Sequence, residues 1–266
     1  KLIATDIDGT LVKDGTLIID PEYMTVISKL IDKGIIFTVC SGRQFSSEQK
    51  LFAPIKDKLM YITDGGTVVR TPDRILKTYP MSNELWKDMC RMVRDELPAC
   101  DYFAASPDLC YAEDGASPIF HRLRDSYGFE MREIDDLTKL ENDDIIKFTV
   151  YHPDSCEELC SPHFIPAWKD KAHVTSAGKE WVDCNRRGIS KWTAVSFLMD
   201  KYNIAPDEVC CFGDNLNDTE MLKGAGESYA VSNARPEVIA AAKAARAHHF
   251  IKTLPGGYQM ELNEDA

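Results

Sequence analysis

Acidic and hydroxyl side chains stand directly after three predicted strands of this sequence. They are Asp6 with Asp8, Ser41, and Asp214 with Asp218. An Asp-Gly pair after a strand is by itself most often only a turn. In an open parallel sheet, however, ligands bind beyond the carboxyl ends of the strands, so side chains from all three positions meet at one edge. The combination therefore predicts a single site that is assembled from distant parts of the chain.

The residue types at this edge suit the cleavage of a phosphate ester. An anionic nucleophile that approaches a phosphoryl group needs nearby positive charge to offset the repulsion. Converging carboxylates can hold a hard cation such as Mg²⁺. Lys191 follows Gly188-Ile189-Ser190 at a predicted helix start and can supply further positive charge, although a lone lysine on a helix is more often a solvated surface residue.

Strands and helices are predicted to alternate at both ends of the chain, which indicates βαβ units and a parallel sheet. Gly34 supplies the signal for the end of the first helix. The predicted elements are a strand at 2–4, a helix at 21–33, a strand at 35–40, a helix at 46–53, a strand at 59–63, a helix at 190–202 and a strand at 208–212.

The middle of the chain has a different rhythm, with strands mixed among helices and loops. We therefore predict an α/β protein with a Rossmann-like, doubly wound parallel sheet and an inserted α/β cap domain. The core comprises residues 1–82 and 183–266, and the insertion comprises residues 83–182. The strand-end residues and Lys191 all lie in the two core segments, so we expect the insertion to select the substrate and shield the pocket.

Four motifs resemble those of the haloacid dehalogenase (HAD) superfamily, in the order that the superfamily has them. They are Asp6-Ile7-Asp8-Gly9-Thr10-Leu11, Ser41-Gly42-Arg43, Lys191 within Gly-Ile-Ser-Lys, and Gly213-Asp214-Asn215-Leu216-Asn217-Asp218. The segment 230–234 resembles the one that follows in the Cof-like subfamily, IIB. That subfamily carries an α/β cap between the second and third motifs, where this chain has its insertion.

The resemblance implies a Mg²⁺-dependent phosphatase that acts on a small phosphorylated metabolite, such as a sugar phosphate. Asp6 would be the nucleophile and form an aspartyl-phosphate. Asp8 would be the general acid and base. Mg²⁺ would be bound by Asp6, Asp214 and the main-chain carbonyl of Asp8.

The resemblance also implies the residues that bind the substrate. These are Ser41, Gly42, Lys191 and Asn217, of which Ser41 and Lys191 would hold phosphoryl oxygens. Asp218, with Asn217, would orient the metal site or Lys191 from behind.

Two positions depart from the family pattern. Asp64-Gly65-Gly66-Thr67 replaces the usual Glu-Asn-Gly-Ala turn, and Trp192 replaces the small residue that usually follows the lysine. Trp181, Asp183 and Trp192 lie near the return to the core, so they are candidates to contact the leaving group. Packing at a hinge is an equally open interpretation of the two tryptophans.

Composition argues against two kinds of partner. The net charge of −12, from 31 basic and 43 acidic side chains, opposes binding to a nucleic-acid backbone. No apolar run reaches membrane-spanning length. Nine cysteines without CxxC pairs favour reduced thiols and a cytoplasmic protein. A monomer and a small homo-oligomer both remain open.

Other functions are compatible with parts of the pattern. A non-catalytic phospho-acceptor module also combines a strand-end Asp with a Lys, but Asp8 would discharge its phosphoryl group. A phosphotransferase or phosphomutase of the same superfamily would share the first motif. A zinc site at His152, Cys156, Cys160 and His163 is disfavoured, because Pro153 and Pro162 interrupt the helix that would gather them.

Overall fold

The computed structural model describes residues 1–13, 16–141, 144–244, 249–254 and 257–262, so residues 263–266 of the predicted second core segment lie outside the described residues. The strands are β1 (Leu2–Thr5), β2 (Ile36–Cys40), β3 (Met60–Thr63), β4 (Val68–Arg70), β5 (Ile75–Thr78), β6 (Asp101–Ala105), β7 (Cys110–Ala112), β8 (Met131–Glu133), β9 (Lys147–Tyr151), β10 (Ala172–Ser176), β11 (Trp181–Arg186), β12 (Val209–Gly213), β13 (Glu227–Val231), β14 (His249–Leu254) and β15 (Gly257–Leu262). The α-helices are α1 (Pro21–Asp32), α2 (Phe45–Leu51), α3 (Asn83–Glu96), α4 (Pro118–His121), α5 (Cys156–Leu159), α6 (Ser161–Trp168), α7 (Lys191–Tyr202), α8 (Thr219–Gly224) and α9 (Pro236–Ala244).

The first sheet has nine strands in the order β15-β14-β13-β12-β1-β2-β3-β4-β5. The six strands from β14 to β3 are parallel to their neighbours, whereas β4, β5 and β15 pair antiparallel at the two ends. β1 lies in the middle, between β12 and β2. The carboxyl ends of β1, β2 and β12 therefore open on the same edge, as the sequence predicts.

Helices cover both faces of this sheet, because its central strands are apolar on both sides. In β1, Leu2 and Ala4 pack into the cluster that includes α7 and α8, whereas Ile3 packs with α1 on the opposite face. The predicted Rossmann-like, doubly wound core is thus confirmed. Gly34, just beyond α1, has φ +84°, the left-handed conformation that its predicted role at the helix end requires.

The second sheet is formed within the insertion and has six strands in the order β10-β11-β9-β6-β7-β8. Its last strand in the chain, β11, runs to Arg186 and so passes the predicted boundary at residue 182. Helices α3 and α6 cover one face, with Trp86, Phe164 and Trp168 in the shared apolar cluster. The opposite face is left for contact with the first sheet and for the cavity described below.

Strand alternation sets which residues of the second sheet belong to each face. In β9, Phe148 and Val150 pack among the helices, so Lys147 and Thr149 belong to the other face. In β11, Val182 packs among the helices, and Trp181 and Asp183 face away from them. The residues of β6 alternate between the two faces in the same way. The face opposite the helices is therefore one wall formed by β6, β9 and β11.

The cysteines differ in part from prediction. The structure pairs Cys100, beyond the end of α3, with Cys160, before α6, as a disulfide across a sequence separation of 60. The prediction of reduced thiols is wrong for this pair, since packing of two helices brings together residues that the sequence separates. The other seven cysteines are free. Within the described residues, no helix has the length and apolarity needed to cross a membrane.

Candidate active site

Asp6 and Lys191 form a buried ion pair at the centre of the site. The main-chain N–H of Asp6 donates to the carbonyl of Phe212 at 3.0 Å, which fixes the end of β1 against β12. Lys191 is the first residue of α7, and its Nζ donates to Asp6 Oδ1 at 2.6 Å and to Asp218 Oδ1 at 2.5 Å. The lysine side chain is only 1% exposed, so it is no surface residue.

The charges in this pair depend on each other. Burial raises the pKa of Asp6 well above its ordinary value, Lys191 opposes that shift, and Asp218 adds to it. Burial lowers the pKa of Lys191, but the carboxylates of Asp218 and Asp6 outweigh burial and raise it well above its ordinary value. The lysine therefore stays cationic and helps keep Asp6 available as an anion.

Asp218 is committed to structural contacts. It is fully buried, and its Oδ2 accepts hydrogen bonds from the main-chain N–H groups of Asp214 and Asn215, both at 3.0 Å. Its Oδ1 accepts from Lys191. The carboxylate thus fixes the loop after β12 and the lysine together, which agrees with the orienting role expected for it.

The carboxylates of Asp6, Asp214 and Asp218 fit a hard cation. One oxygen from each lies within 4.8 Å of the others. The oxygens of Asp218 already accept hydrogen bonds, so the carboxylates of Asp6 and Asp214 are left to bind a metal. A Cβ at Gly9 would overlap the Asp214 carboxylate, so the glycine leaves the room that this carboxylate occupies.

Asp214 is held and electrostatically perturbed. Thr10 Oγ1 donates to its Oδ1 at 3.0 Å. Burial raises the pKa of Asp214 to about 6, and the nearby Asp218 acts in the same direction. A divalent cation between Asp214 and Asp6 would relieve this crowding of negative charge, which supports the predicted metal site.

Arg43 holds the side chain of Asp8. Its Nε donates to Asp8 Oδ2 at 2.7 Å and its Nη2 to Asp8 Oδ1 at 2.6 Å. The guanidinium is buried, and a further bond from Nη2 to the carbonyl of Thr16 at 2.8 Å fixes it. A bidentate pair of this kind sets the orientation of the carboxylate as well as its charge.

The loop after β2 presents Ser41 and Gly42 to the site. Ser41 Oγ accepts from the main-chain N–H of Arg43 at 3.1 Å, and the carbonyl of Ser41 accepts from the N–H of Gly65 at 2.9 Å. Gly65 and Gly66 have positive φ, and a Cβ at Gly66 would overlap the backbone that begins α7. The Asp-Gly-Gly turn thus braces the loop from behind, which explains why glycine follows Asp64 twice.

A cavity of about 180 Å³ lies between this edge and the second sheet. Predicted site residues form its polar side: Asp6, Asp8, Ser41, Gly42, Asp214 and Asn217. Asn217 Oδ1 is buried and has no hydrogen-bond partner among the described residues, so it is available to a ligand. Lys191 lies beneath Asp6. The structure therefore brings the predicted site residues together.

Known proteins share this architecture. A family model described as haloacid dehalogenase-like hydrolase matches residues 3–249. The chain belongs to this family. The prediction of a HAD-superfamily enzyme is thereby confirmed.

Three individual proteins show how far the likeness of this HAD hydrolase extends. 5-amino-6-(5-phospho-D-ribitylamino)uracil phosphatase YbjI of Escherichia coli strain K12 is 28% identical over 247 residues, which cover 91% of this chain and 89% of that protein. A Eubacterium rectale protein of known crystal structure is 79% identical, with a TM-score of 0.80, and the match covers 91% of this chain and 92% of that one. The HAD subclass IIB sugar phosphatase BT4131 has a TM-score of 0.78 at 20% identity, with coverage of 96% and 94%. The predicted likeness to subclass IIB is confirmed in the fold.

Of the residues of this HAD hydrolase that were candidates to contact the leaving group, not all lie at the cavity. Trp181 and Asp183 line it. Trp192 packs instead against the apolar cluster beside α8, where a Cβ at Gly224 would overlap its ring. The proposal that Trp192 contacts the leaving group is wrong, because its position on α7 turns it towards the core.

The zinc alternative also fails on geometry. Cys160 is in the disulfide, and Cys156 Sγ donates to the carbonyl of Val150 at 3.6 Å. His163 Nε2 is 2.6 Å from a carboxylate oxygen of Glu96. Across the described residues, the Asp6, Asp214 and Asp218 group is the one carboxylate, histidine or cysteine cluster suited to a metal.

Sequence reasoning missed Lys147 and the use of Arg43. Lys147 lies in β9, is buried, and its Nζ donates to the carbonyl of Gly42 at 2.6 Å. A charged residue in an otherwise apolar strand was the available signal, but only the fold shows that it reaches the core loop. Arg43 is part of the second motif, but the motif does not show that it pairs with Asp8, because the two residues are 35 positions apart in the sequence.

Proposed function

We propose that the chain is a Mg²⁺-dependent phosphatase that hydrolyses a small phosphorylated metabolite through an aspartyl-phosphate on Asp6. The observation that carries this proposal is the buried Lys191–Asp6 pair beside Asp214, at the bottom of a cavity that also contains Asp8. The family membership and the similarity to phosphatases such as YbjI support it.

The first half of the reaction forms the covalent intermediate. A carboxylate oxygen of Asp6 attacks phosphorus, and the bond between phosphorus and the ester oxygen breaks. Asp8 donates a proton to that oxygen, so the product leaves as a neutral alcohol. Lys191 offsets part of the negative charge that Asp6 and the phosphoryl group bring together.

The second half regenerates the enzyme. Asp8, now a carboxylate, takes a proton from water, and the water oxygen attacks the phosphorus of the aspartyl-phosphate. The bond between phosphorus and the Asp6 oxygen breaks, inorganic phosphate leaves, and Asp8 is again protonated. Arg43 orients the Asp8 side chain through two hydrogen bonds when Asp8 is a carboxylate.

Asp6, Asp214 and the main-chain carbonyl of Asp8 would hold Mg²⁺. When bound, it supplies positive charge that stabilises the phosphoryl oxygens in the transition state. Ser41, Gly42 and Asn217 line the cavity where those oxygens would lie, and Asp218 keeps Lys191 in place.

The test is release of inorganic phosphate from a panel of phosphorylated metabolites by the wild type and by Asp6→Asn. We expect the variant to fold and to lose turnover, because the amide is nearly isosteric but cannot attack phosphorus. Asp170→Asn, at an exposed position, is the matched control and should keep wild-type rates. Chelation should stop the wild type, and added Mg²⁺ should restore it.

Two results would contradict the proposal. Substantial phosphate release by Asp6→Asn would exclude the covalent mechanism, and full activity after exhaustive chelation would exclude the metal. Release that requires an acceptor sugar would instead indicate a phosphotransferase or phosphomutase.

A further inference from the structure

The wall of the cavity opposite the catalytic carboxylates is aromatic. Phe103 of β6 and Trp181 of β11 lie on the second sheet, and Tyr127 with Phe129 follow α4 beside them. Phe103, Tyr127 and Phe129 belong to one apolar cluster, with Trp181 packed against it. Flat apolar side chains of this kind bind a flat apolar group by stacking and edge contacts.

One polar cluster interrupts this apolar wall. Lys147 Nζ donates to the carbonyl of Gly42 at 2.6 Å and lies 3.5 Å from Asp64 Oδ1 and 3.7 Å from Asp183 Oδ2. Asp183 Oδ1 accepts from Thr149 Oγ1 at 2.6 Å. The lysine is thus directed at the core loop.

Asp183 keeps the capacity to accept another hydrogen bond. Its Oδ2 forms an ion pair with Lys147 at 3.7 Å, which is too long for a hydrogen bond, and the side chain is 16% exposed where it lines the cavity. A carboxylate offers about four lone-pair sites, and it can accept but not donate when ionised. A ligand group that meets Asp183 must therefore be an N–H or O–H donor.

The volume indicates the size of the group that the wall can cover. The cavity has a volume of about 180 Å³ and is partly open to solvent. Apolar cavities of roughly 150 Å³ accept benzene, so one ring fits against the aromatic wall.

We propose that the alcohol part of the substrate carries a single flat ring, stacked against Trp181 and Phe103, with an N–H or O–H group that donates to Asp183. This rests on the proposed phosphatase function and specifies its substrate class. A compact sugar fits the wall less well, because its several hydroxyl groups would lose water and face aromatic carbon without partners.

The test measures kcat/KM of the wild type for four synthetic or simple substrates: 3-aminobenzyl phosphate, 3-methylbenzyl phosphate, glucose 6-phosphate and acetyl phosphate. The first two have nearly the same shape, and only the amino compound can donate to Asp183. We expect it to exceed the methyl compound and glucose 6-phosphate by about tenfold or more, since a site built for a hydrogen bond rejects an analogue that lacks it.

Variants assign the preference to residues. Asp183→Ala should reduce the amino-to-methyl ratio to about one, and Trp181→Leu should reduce the ratio of both ring substrates to glucose 6-phosphate while the amino-to-methyl ratio persists. Trp192→Phe is the matched tryptophan control, and it should leave both ratios unchanged. Thermal unfolding of each variant checks that it is folded.

The outcomes separate this inference from the function on which it rests. Hydrolysis of acetyl phosphate that Asp6→Asn abolishes, combined with equal kcat/KM for the ring substrates and glucose 6-phosphate, would overturn the ring preference and leave the phosphatase in place. An amino-to-methyl ratio that survives Asp183→Ala would overturn the assignment of the donor site. Phosphate release from none of the four would overturn both proposals.

Discussion

The two sides of the cavity are built in different ways. On the side of the first sheet, Asp6, Lys191 and Asp218 lie in a continuous set of short hydrogen bonds, and their backbones belong to central elements of the core. On the side of the second sheet, the wall consists of alternate residues from separate strands and is apolar except around Asp183 and Lys147.

This difference separates chemistry from selection. A network in which each charge positions the next tolerates little change, because removal of one member leaves another buried charge without its partner. A wall of strand residues can change one side chain at a time without altering the backbone. We therefore expect substitutions on the first side to affect every substrate, and substitutions on the second side to affect some substrates more than others.

The largest effect is expected from Lys191→Met, which removes the cation between Asp6 and Asp218. Two carboxylates would remain buried, so the free energy of unfolding should fall by about 3–5 kcal/mol. Loss of positive charge at the phosphoryl group should lower kcat/KM by roughly 10²–10³ for every substrate alike. Denaturant unfolding and steady-state phosphate release measure the two effects.

The difference between the two sides also predicts that Lys191→Met lowers kcat/KM by a similar factor for all substrates. If Lys191→Met lowered kcat/KM for one substrate far more than for another, the first side of the cavity would also take part in selection. Lys201→Met, at an exposed position near the end of the same helix, is the matched control and should change neither quantity appreciably.

The sequence predicts the first side of the cavity much better than the second. Asp6, Ser41 and Asp214 each follow a strand of the parallel sheet, and the geometry of such a sheet requires their side chains to meet. The elements of the core were predicted for the same reason: apolar runs, Gly34 and the glycine-rich turns are local signals. The observed α1, β2 and α7 begin and end within a residue or two of the predicted positions.

The second side depends on contacts that no local pattern encodes. Lys147 touches Gly42 across a sequence separation of 105, and nothing in β9 indicates that its alternate residues face a cavity. Trp181 and Trp192 looked equivalent in the sequence, yet one lines the cavity and the other packs in the core. The pairing of Cys100 with Cys160 likewise follows only from helix packing.

A buried carboxylate on the first side of the cavity lacks a hydrogen-bond partner, and this gives the second prediction. Glu48 of α2 is fully buried, and neither of its oxygens has a hydrogen-bond partner among the described residues. Burial raises the pKa of Glu48 well above its ordinary value, and the nearby Asp64 adds to the shift. The folded protein thus keeps a proton on Glu48. The unfolded chain loses that proton near pH 4.3, which is about the ordinary pKa of a glutamate side chain.

The sign of the effect follows from proton linkage. Above the unfolded pKa, the folded state binds more protons, so stability falls as pH rises, by about 1.4 kcal/mol per pH unit until the folded pKa is reached. Glu48→Gln should remove this slope, and its stability relative to the wild type should grow between pH 5 and pH 8. Denaturant unfolding at several pH values measures it, with the exposed Glu84→Gln as control. Parallel pH profiles for Glu48→Gln and wild type would show that Glu48 is ionised in the folded protein.

The smallest effect is expected from Trp192→Phe, which separates the two tryptophans that the sequence could not distinguish. Trp192 lies against Gly224 and the apolar cluster beside α8, so the smaller ring should cost about 1 kcal/mol of unfolding free energy through lost packing. Because Lys191 is held by Asp6 and Asp218 rather than by its neighbour, kcat/KM should change by less than about twofold. Thermal unfolding and phosphate release test both statements. A change in substrate preference comparable to that of Trp181→Leu would mean that α7 helps select the substrate, and the division between the two sides of the cavity would then have to be abandoned.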